Sequence, residues 1–561
     1  SLISRPLHMA LALPWIFIFA AKTKSQLVSG TIFTGLGIAG CVYIALYESS
    51  LSDQYGFLIG WDQSLIACTL VAVTLEMARR TVGWPLPIIT LLFIMYGIWG
   101  DHIPGEFGHA GIPINSFFGT LVITEGGLWG KLTGVSVSIV SIFVIFGAFL
   151  NAGEAGQGFM NIAVAAAGRL KGGAAKVSVI SSALFGSISG SASANVASTG
   201  MVTLPTMLRL GYPKKVAAAV EAVASTGGQI MPPLMGAGAF VMVELTGIPY
   251  NQIIVAALIP AILYFATIWI GVNRYAEIYD LKPYDQTMLP SAALVVKTSL
   301  FFFIPFTVLL FIMYIGYTPQ FAAAVAISSA ALLLLIDVEL RPDLKRTLHR
   351  LCETALFSGR QIATIAAIIL CASLIVGVLG LTGLGIKVTS TILTLSGENF
   401  WLALLLTALA CILLGMEVPT TAAYVICVSV AGPALIDLGL KPLLVHLFVF
   451  WFALLSTITP PVCGGVFIAA SMVEENWLKV AWSAIALGLG LYIVPLAMIK
   501  HPQLIEISSF PVLSVLTAVQ IGVGLILLSR GIISSTKWSK KLMLVFTGLF
   551  VTFTSNPLLG L

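Results

Sequence analysis

Residues Gly186–Asn195 read Gly-Ser-Ile-Ser-Gly-Ser-Ala-Ser-Ala-Asn, and Ser225–Pro233 read Ser-Thr-Gly-Gly-Gln-Ile-Met-Pro-Pro. Both are runs of small polar residues, glycine and proline inside otherwise apolar sequence. The flanking segments are long enough to cross a membrane, so these runs fall at membrane depth. Irregular backbone is tolerated there only where protein buries it or where it lines a watery cavity. That constraint makes Gly186–Pro233 a binding-site candidate on physical grounds.

The surrounding composition supports this. The chain is 58% hydrophobic and 9% charged, with mean hydropathy +1.03. A soluble domain carries about 25% charged residues. The reading is an all-α polytopic membrane protein. The net charge of +5 comes from loop lysines and arginines and gives no nucleic-acid surface. The seven cysteines are scattered with no CxxC pair and read as small buried hydrophobes. Leu7–Ala21 reads as a first membrane helix, not a cleavable signal.

A span needs about 20 apolar residues. Spans are expected near 7–22, 27–47, 62–78, 85–100, 132–151, 251–273, 291–316, 318–336, 361–381, 477–499, 510–530 and 541–557. Lys22, Lys24, Arg79 and Arg80 mark cytoplasmic ends, while Asp101–Gly130 falls outside. Two regions resist simple spans. Arg169, Lys171 and Lys176 precede the Gly186 run, and Arg209, Lys214 and Lys215 follow it. Both ends are cytoplasmic by charge, which predicts a re-entrant hairpin over 175–210 and a broken helix over 213–246. The second region is flanked by Glu398 and Asp437 and predicts an oppositely facing hairpin over 400–436, with Gly415–Thr421 at its tip. A second broken helix follows over 442–473.

The two regions share landmarks. The same 27-position spacing separates Pro205 from Pro232 and Pro433 from Pro460. A repeat with opposite charge flanks is the signature of inverted-topology transporter repeats. The expected organisation is 1–100, a four-helix domain; 101–131, an external connector; 132–273, the first repeat; 274–360, scaffold helices and a loop; 361–500, the second repeat; and 501–561, C-terminal helices.

Paired prolines break a helix, freeing carbonyls from one half and N–H groups from the other. Carbonyls and hydroxyls suit a hard cation, and helix N-termini attract anions. Small-residue packing explains isolated Ser and Gly, but not alternate polar side chains from Ser187 to Asn195 beside a Pro-Pro break. The substrate-binding candidates are Ser187, Ser191, Ser193, Asn195, Pro232, Thr420, Thr421 and Pro460. The cation-binding candidates are Ser189, Asn195, Thr226, Gly227, Gly228, Gly415, Thr420, Thr457 and Thr459. Ionisable residues in spans are costly and mark function; Glu221, Glu417 and His446 are the proton-relay candidates. Glu244 falls in a span, and Glu154 is interfacial. No Walker A pattern and no HExxH occur, and no paired nucleophile and base is found, so ATP hydrolysis, zinc proteolysis and intramembrane catalysis lack support.

These motifs, with Gly211-Tyr212-Pro213, Pro419-Thr420-Thr421 and Thr459-Pro460-Pro461, resemble the large membrane subunit of tripartite ATP-independent periplasmic (TRAP) transporters. The wording Glu221–Gln229 resembles the TAXI subtype, over roughly 132–500. The four spans before Gly100 resemble a fused small subunit. The resemblance implies an elevator-type symporter in the bacterial inner membrane, with no cofactor beyond a coupling Na+ or H+. It also implies an organic-anion substrate and an extracytoplasmic TAXI-type substrate-binding protein as partner. One departure is Glu417, where TAXI proteins often carry glycine; an acid there favours proton involvement. The alternative reading is a binding-protein-independent divalent-anion symporter of related architecture. Asp101–Gly130 and the N-terminal helices argue against it, because it leaves that docking surface unexplained. A channel is the rival of another class.

Overall fold

The computed structural model describes residues 2–232, 234–284, 288–339, 341–397, 399–415, 418–460, 463–534 and 537–555. Among them helix is the regular structure, joined by turns and loops, with one isolated bridge between Ile336 and Pro342. Eight described helices are long and apolar enough to cross a membrane, from Lys24–Leu46 to Pro511–Ile532. At about 1.5 Å rise per residue, some 20 residues cover the hydrocarbon core. Local chemistry sets their starts: Thr23, Ser291, Thr318 and Asn399 each accept an N–H from the first helical turn.

The chain divides into two compact units. The first comprises 1–148, 240–245 and 351–440. Its core gathers Met9, Leu13, Phe17, Leu70, Phe117, Trp129, Leu370 and Leu374. Within it, Phe400–Leu414 and Thr420–Asp437 pack together and on Leu384–Ser396, joined through Ile392, Ala403, Ala431 and Ala434. The second unit comprises 149–239, 246–350 and 441–561. It holds Gly173–Ser189, Ala192–Arg209, Lys214–Gly227, Pro442–Leu455, Gly464–Met472 and the helices packed on them. The division falls between Leu440 and Lys441, inside the stretch 361–500 that the sequence suggests as a second repeat.

The repeat is written into the helix boundaries. Ala192–Arg209 and Thr420–Asp437 are each 18 residues long, and Lys214–Gly227 and Pro442–Leu455 are each 14. A constant offset of 228 positions carries each first member onto the second, and carries Gly236 onto Gly464, where the later half-helices begin. Both breaks also end in a left-handed non-glycine residue, Met235 at φ 52° and Cys463 at φ 31°. Such a conformation costs on the order of 1–3 kcal/mol and persists only where the surroundings enforce it.

Several elements depart from the sequence expectation. The span near 361–381 is the end of a 39-residue helix, Leu344–Thr382. Its first turns are rich in basic residues and escape a hydropathy window, yet contain no proline to stop the helix. The 477–499 span is divided at Gly488 into Trp477–Leu487 and Leu489–Lys500. Ala155–Ala167 and Leu384–Ser396, at 13 residues each, were also not expected. Each is too short to register as a span. The connector 101–131 contains a helix, Ile114–Val122.

Candidate functional site

Gly190 and Ser191 turn the chain between Gly173–Ser189 and Ala192–Arg209. Gly190 has φ +62°, and Ser191 is extended, its hydroxyl accepting the Ala194 N–H at 3.3 Å. A left-handed turn followed by a serine cap is what Gly-Ser supplies at low cost. The tip lies against the first helix break without intervening side chains. A Cβ on Gly190 would stand 2.5 Å from the Gly236 Cα, and one on Gly186 would stand 2.5 Å from the Gly228 Cα.

Asn195 fastens the tip to the break. It is fully buried, and its Nδ2 donates to the Ser182 carbonyl at 2.9 Å and the Ser225 carbonyl at 3.3 Å. Its Oδ1 is buried with no partner among the described residues, as is the Ser189 hydroxyl. Buried polar atoms are rarely left unpaired, and these two oxygens both lie at the tip.

The two breaks touch each other. Thr226 Oγ1 lies 3.0 Å from Thr457 Oγ1. The Gly465 N–H donates to the Thr457 carbonyl at 3.1 Å, folding the second break back on itself. Thr459 Oγ1 and the Tyr492 hydroxyl are 2.7 Å apart. Tyr264 donates to the Val223 carbonyl at 2.7 Å, and its ring fills the space beside Gly227. The first break is thus held by Tyr264 on one side and by Thr457 on the other.

One turn before the first break sits Glu221, with no exposed surface. Five hydroxyls donate to its carboxylate. Ser178 lies at 2.8 Å, Ser225 at 3.1 Å and Ser182 at 3.3 Å, with Thr199 and Thr203 closer still. They come from three helices, so the carboxylate is the polar centre of the bundle formed by Gly173–Ser189, Ala192–Arg209 and Lys214–Gly227. Among the described residues it makes no ion pair.

The second unit therefore brings together Asn195, Glu221, Thr226, Gly227, Gly228 and Thr457 with the tip carrying Ser189 and Ser191. Ser187 is buried but donates within its own helix to the Leu184 carbonyl at 2.8 Å. Ser193 is exposed, Pro232 buried and Pro460 half-buried. His446 is buried within Pro442–Leu455. Glu244 is exposed, and Glu154 pairs with Arg350 at 2.5 Å. Gly415, Thr420 and Thr421 belong to the first unit, where Gly415 caps Phe400–Leu414 and the threonines open Thr420–Asp437. Glu417, Pro233 and Pro461 lie outside the described residues.

Residue-by-residue reading missed Ser178, Ser182, Thr199, Thr203, Tyr264 and Tyr492. The signal was present for four of them. Ser178 and Ser182 stand four apart, as do Asn195, Thr199 and Thr203, and Glu221 and Ser225. Three polar stripes at helical spacing on adjacent helices point at one another.

The chain matches the family model described as "Tripartite ATP-independent periplasmic transporter, DctM component" over residues 69–513. The match begins inside Gly60–Val82 and takes in most of both units. Among curated proteins it is similar to the C4-dicarboxylate TRAP transporter large permease protein DctM of Pseudomonas aeruginosa. Identity there is 25% over 59% of this chain and 76% of the relative. It is similar to the large permease protein DctM of Vibrio cholerae, at 23% identity over 73% of this chain and 90% of the relative. It is also similar to the isethionate TRAP transporter permease protein DctMQ of Oleidesulfovibrio alaskensis, at 30% identity over 30% of this chain and 27% of the relative. These relatives are transporter permeases, not enzymes. The chain is a multi-pass membrane protein belonging to the DctM-component family of tripartite ATP-independent periplasmic transporters.

Proposed function

We propose that this chain is the permease of a secondary active symporter that imports an organic anion, a carboxylate. A TAXI-type extracytoplasmic binding protein delivers the substrate, and an inward Na+ or H+ gradient drives uptake across the bacterial inner membrane. Relatives are named for C4-dicarboxylates, for the sulfonate isethionate and for ectoine, and the dicarboxylate names support a carboxylate. The observation that carries the site is the joining of both helix breaks, Thr226 to Thr457, beside a tip with two unpartnered oxygens. The N-termini at Gly236 and Gly464 and the tip hydroxyls offer donors to a carboxylate. Asn195 Oδ1, Ser189 Oγ and the carbonyls released at the breaks offer oxygen to a cation. Ser187, Ser191, Ser193, Pro232 and Pro460 stand on the substrate side. Thr420, Thr421 and Gly415, in the first unit, stay candidates on their sequence alone, and Glu221, Glu417 and His446 are the relay candidates.

We further propose that residues 1–100 act as a fused small subunit and that the site moves as in an elevator. The four apolar segments before Gly100 support the first point. The repeat supports the second. In proteoliposomes containing no ATP, with the cognate binding protein supplied outside, a labelled C4-dicarboxylate should accumulate above its equilibrium level when a cation gradient is imposed. That accumulation should collapse on adding an ionophore. Fast, gradient-independent equilibration would identify a channel instead.

A further inference from the structure

Among the described residues, Glu221 is a buried carboxylate held by hydroxyls alone. A purely structural anion would be expected to pair with a cation. Each of its threonine donors has a second acceptor in reach. Thr199 Oγ1 lies 2.8 Å from the Asn195 carbonyl, and Thr203 Oγ1 lies 3.0 Å from the Thr199 carbonyl. When Glu221 is ionised the threonines can donate to it. When Glu221 carries a proton they can turn to their own helix carbonyls, and the carboxyl O–H can donate into the Ser182–Thr199 hydroxyl pair, 3.2 Å apart. Hydroxyls are both donors and acceptors, so the cage is hydrogen-bonded in both protonation states.

The cage is tied to the tip. Ser182 and Ser225, which donate to Glu221 through their hydroxyls, accept the Asn195 amide through their carbonyls. Reorienting the cage therefore acts on Asn195, whose Oδ1 is the unpartnered acceptor at the tip.

Among the described residues no neighbouring charge occupies this role. On its own helix Lys214 and Lys215 stand at the far end. On Gly173–Ser189, Lys176 sits over the Trp269 ring at 5.0 Å. Arg209 lies in the last turn of Ala192–Arg209. On Tyr250–Ile278, Tyr264 is committed to the Val223 carbonyl, and Arg274 pairs with Glu277. Cys463 precedes Gly464–Met472, and on Trp477–Leu487 Lys479 pairs with Glu475 at 3.6 Å.

We propose that Glu221 is the proton-binding group of this transporter, and that its protonation is read at the tip through Ser182, Ser225 and Asn195. This rests on the symporter reading above and commits it to a proton as coupling ion. The test uses the full chain in lipid nanodiscs, titrated with protons while the infrared C=O stretch of a protonated carboxyl is followed. Wild type should gain a band on acidification that E221Q lacks. T203V, which removes one donor to the charged form, should move its midpoint to higher pH. In proteoliposomes with the binding protein, a pH gradient without sodium should drive accumulation in wild type, and E221Q should lose it. A missing wild-type band, an unmoved midpoint in T203V, or pH-driven accumulation by E221Q overturns the proposal. Sodium-driven uptake with no proton movement also overturns it while leaving the symporter reading intact. Wild type that accumulates under neither gradient overturns both.

Discussion

Thr226 and Thr457 stand 231 positions apart in the chain, yet their hydroxyl oxygens are 3.0 Å apart. Each hydroxyl also reaches a carbonyl of its own helix, Ala222 for Thr226 and Leu454 for Thr457. The pair therefore joins the ends of two half-helices, one from each repeat. A double-mutant cycle with T226V and T457V should show coupling of about 0.5–1.5 kcal/mol in unfolding free energy, the net worth of a buried hydrogen bond. Strictly additive losses would mean that the two breaks do not hold each other. Both single variants should slow uptake.

Asn195 should be sensitive to substitution in a particular order. N195A leaves the Ser182 and Ser225 carbonyls without their donor and costs about 1–3 kcal/mol. N195D should cost at least as much, because an ionised carboxylate cannot donate to either carbonyl. Thermal unfolding in detergent checks the order. A benign N195D would place the amide's contribution elsewhere.

Gly186 is a matter of space. Its missing Cβ would meet both the Gly228 Cα and the Asn195 Nδ2 at 2.5 Å. G186A should therefore destabilise the chain by about 1–3 kcal/mol, as overpacking does. Gly464 has nothing within 4 Å of the same position and is the control. Equal melting temperatures for G186A and G464A would contradict the close approach of tip and break.

Asp337 offers a pH dependence outside the membrane-spanning segments. The Arg341 N–H, then the Arg346 guanidinium at 3.0 Å and the Glu339 N–H, hold its carboxyl below the usual aspartate range. A lowered native value means the contribution is present above the unfolded value, about 3.9. It is lost as pH falls through the lower native one. Hydrogen exchange over 337–347 should be faster in D337N than in wild type near neutral pH, with the difference closing in acid. A difference that persists in acid would assign the effect to something other than charge.

The interruptions of the two helices were legible because proline and glycine act locally. Pro232 and Pro460 interrupt their helices wherever they are packed, and their common spacing survives in helix boundaries offset by a constant 228 positions. The Glu221 cage was only half legible. The acid stood out by its cost in apolar sequence, but its partners are ordinary serines and threonines 4 to 43 positions away. Packing of three helices selected them. The long Leu344–Thr382 helix was hidden for the opposite reason, since its charged start satisfies helix propensity without meeting a hydropathy criterion. Thr420 and Thr421 lie in a different compact unit from the tip and breaks, a grouping that sequence spacing could not foresee.

The proposed transport of an organic anion delivered by a binding protein is tested by the initial rate of C4-dicarboxylate entry into proteoliposomes under a fixed cation gradient, with the cognate binding protein titrated at constant total substrate. No entry is expected without the binding protein, and the rate should rise with its loaded form. An equal rate from free substrate alone would contradict it.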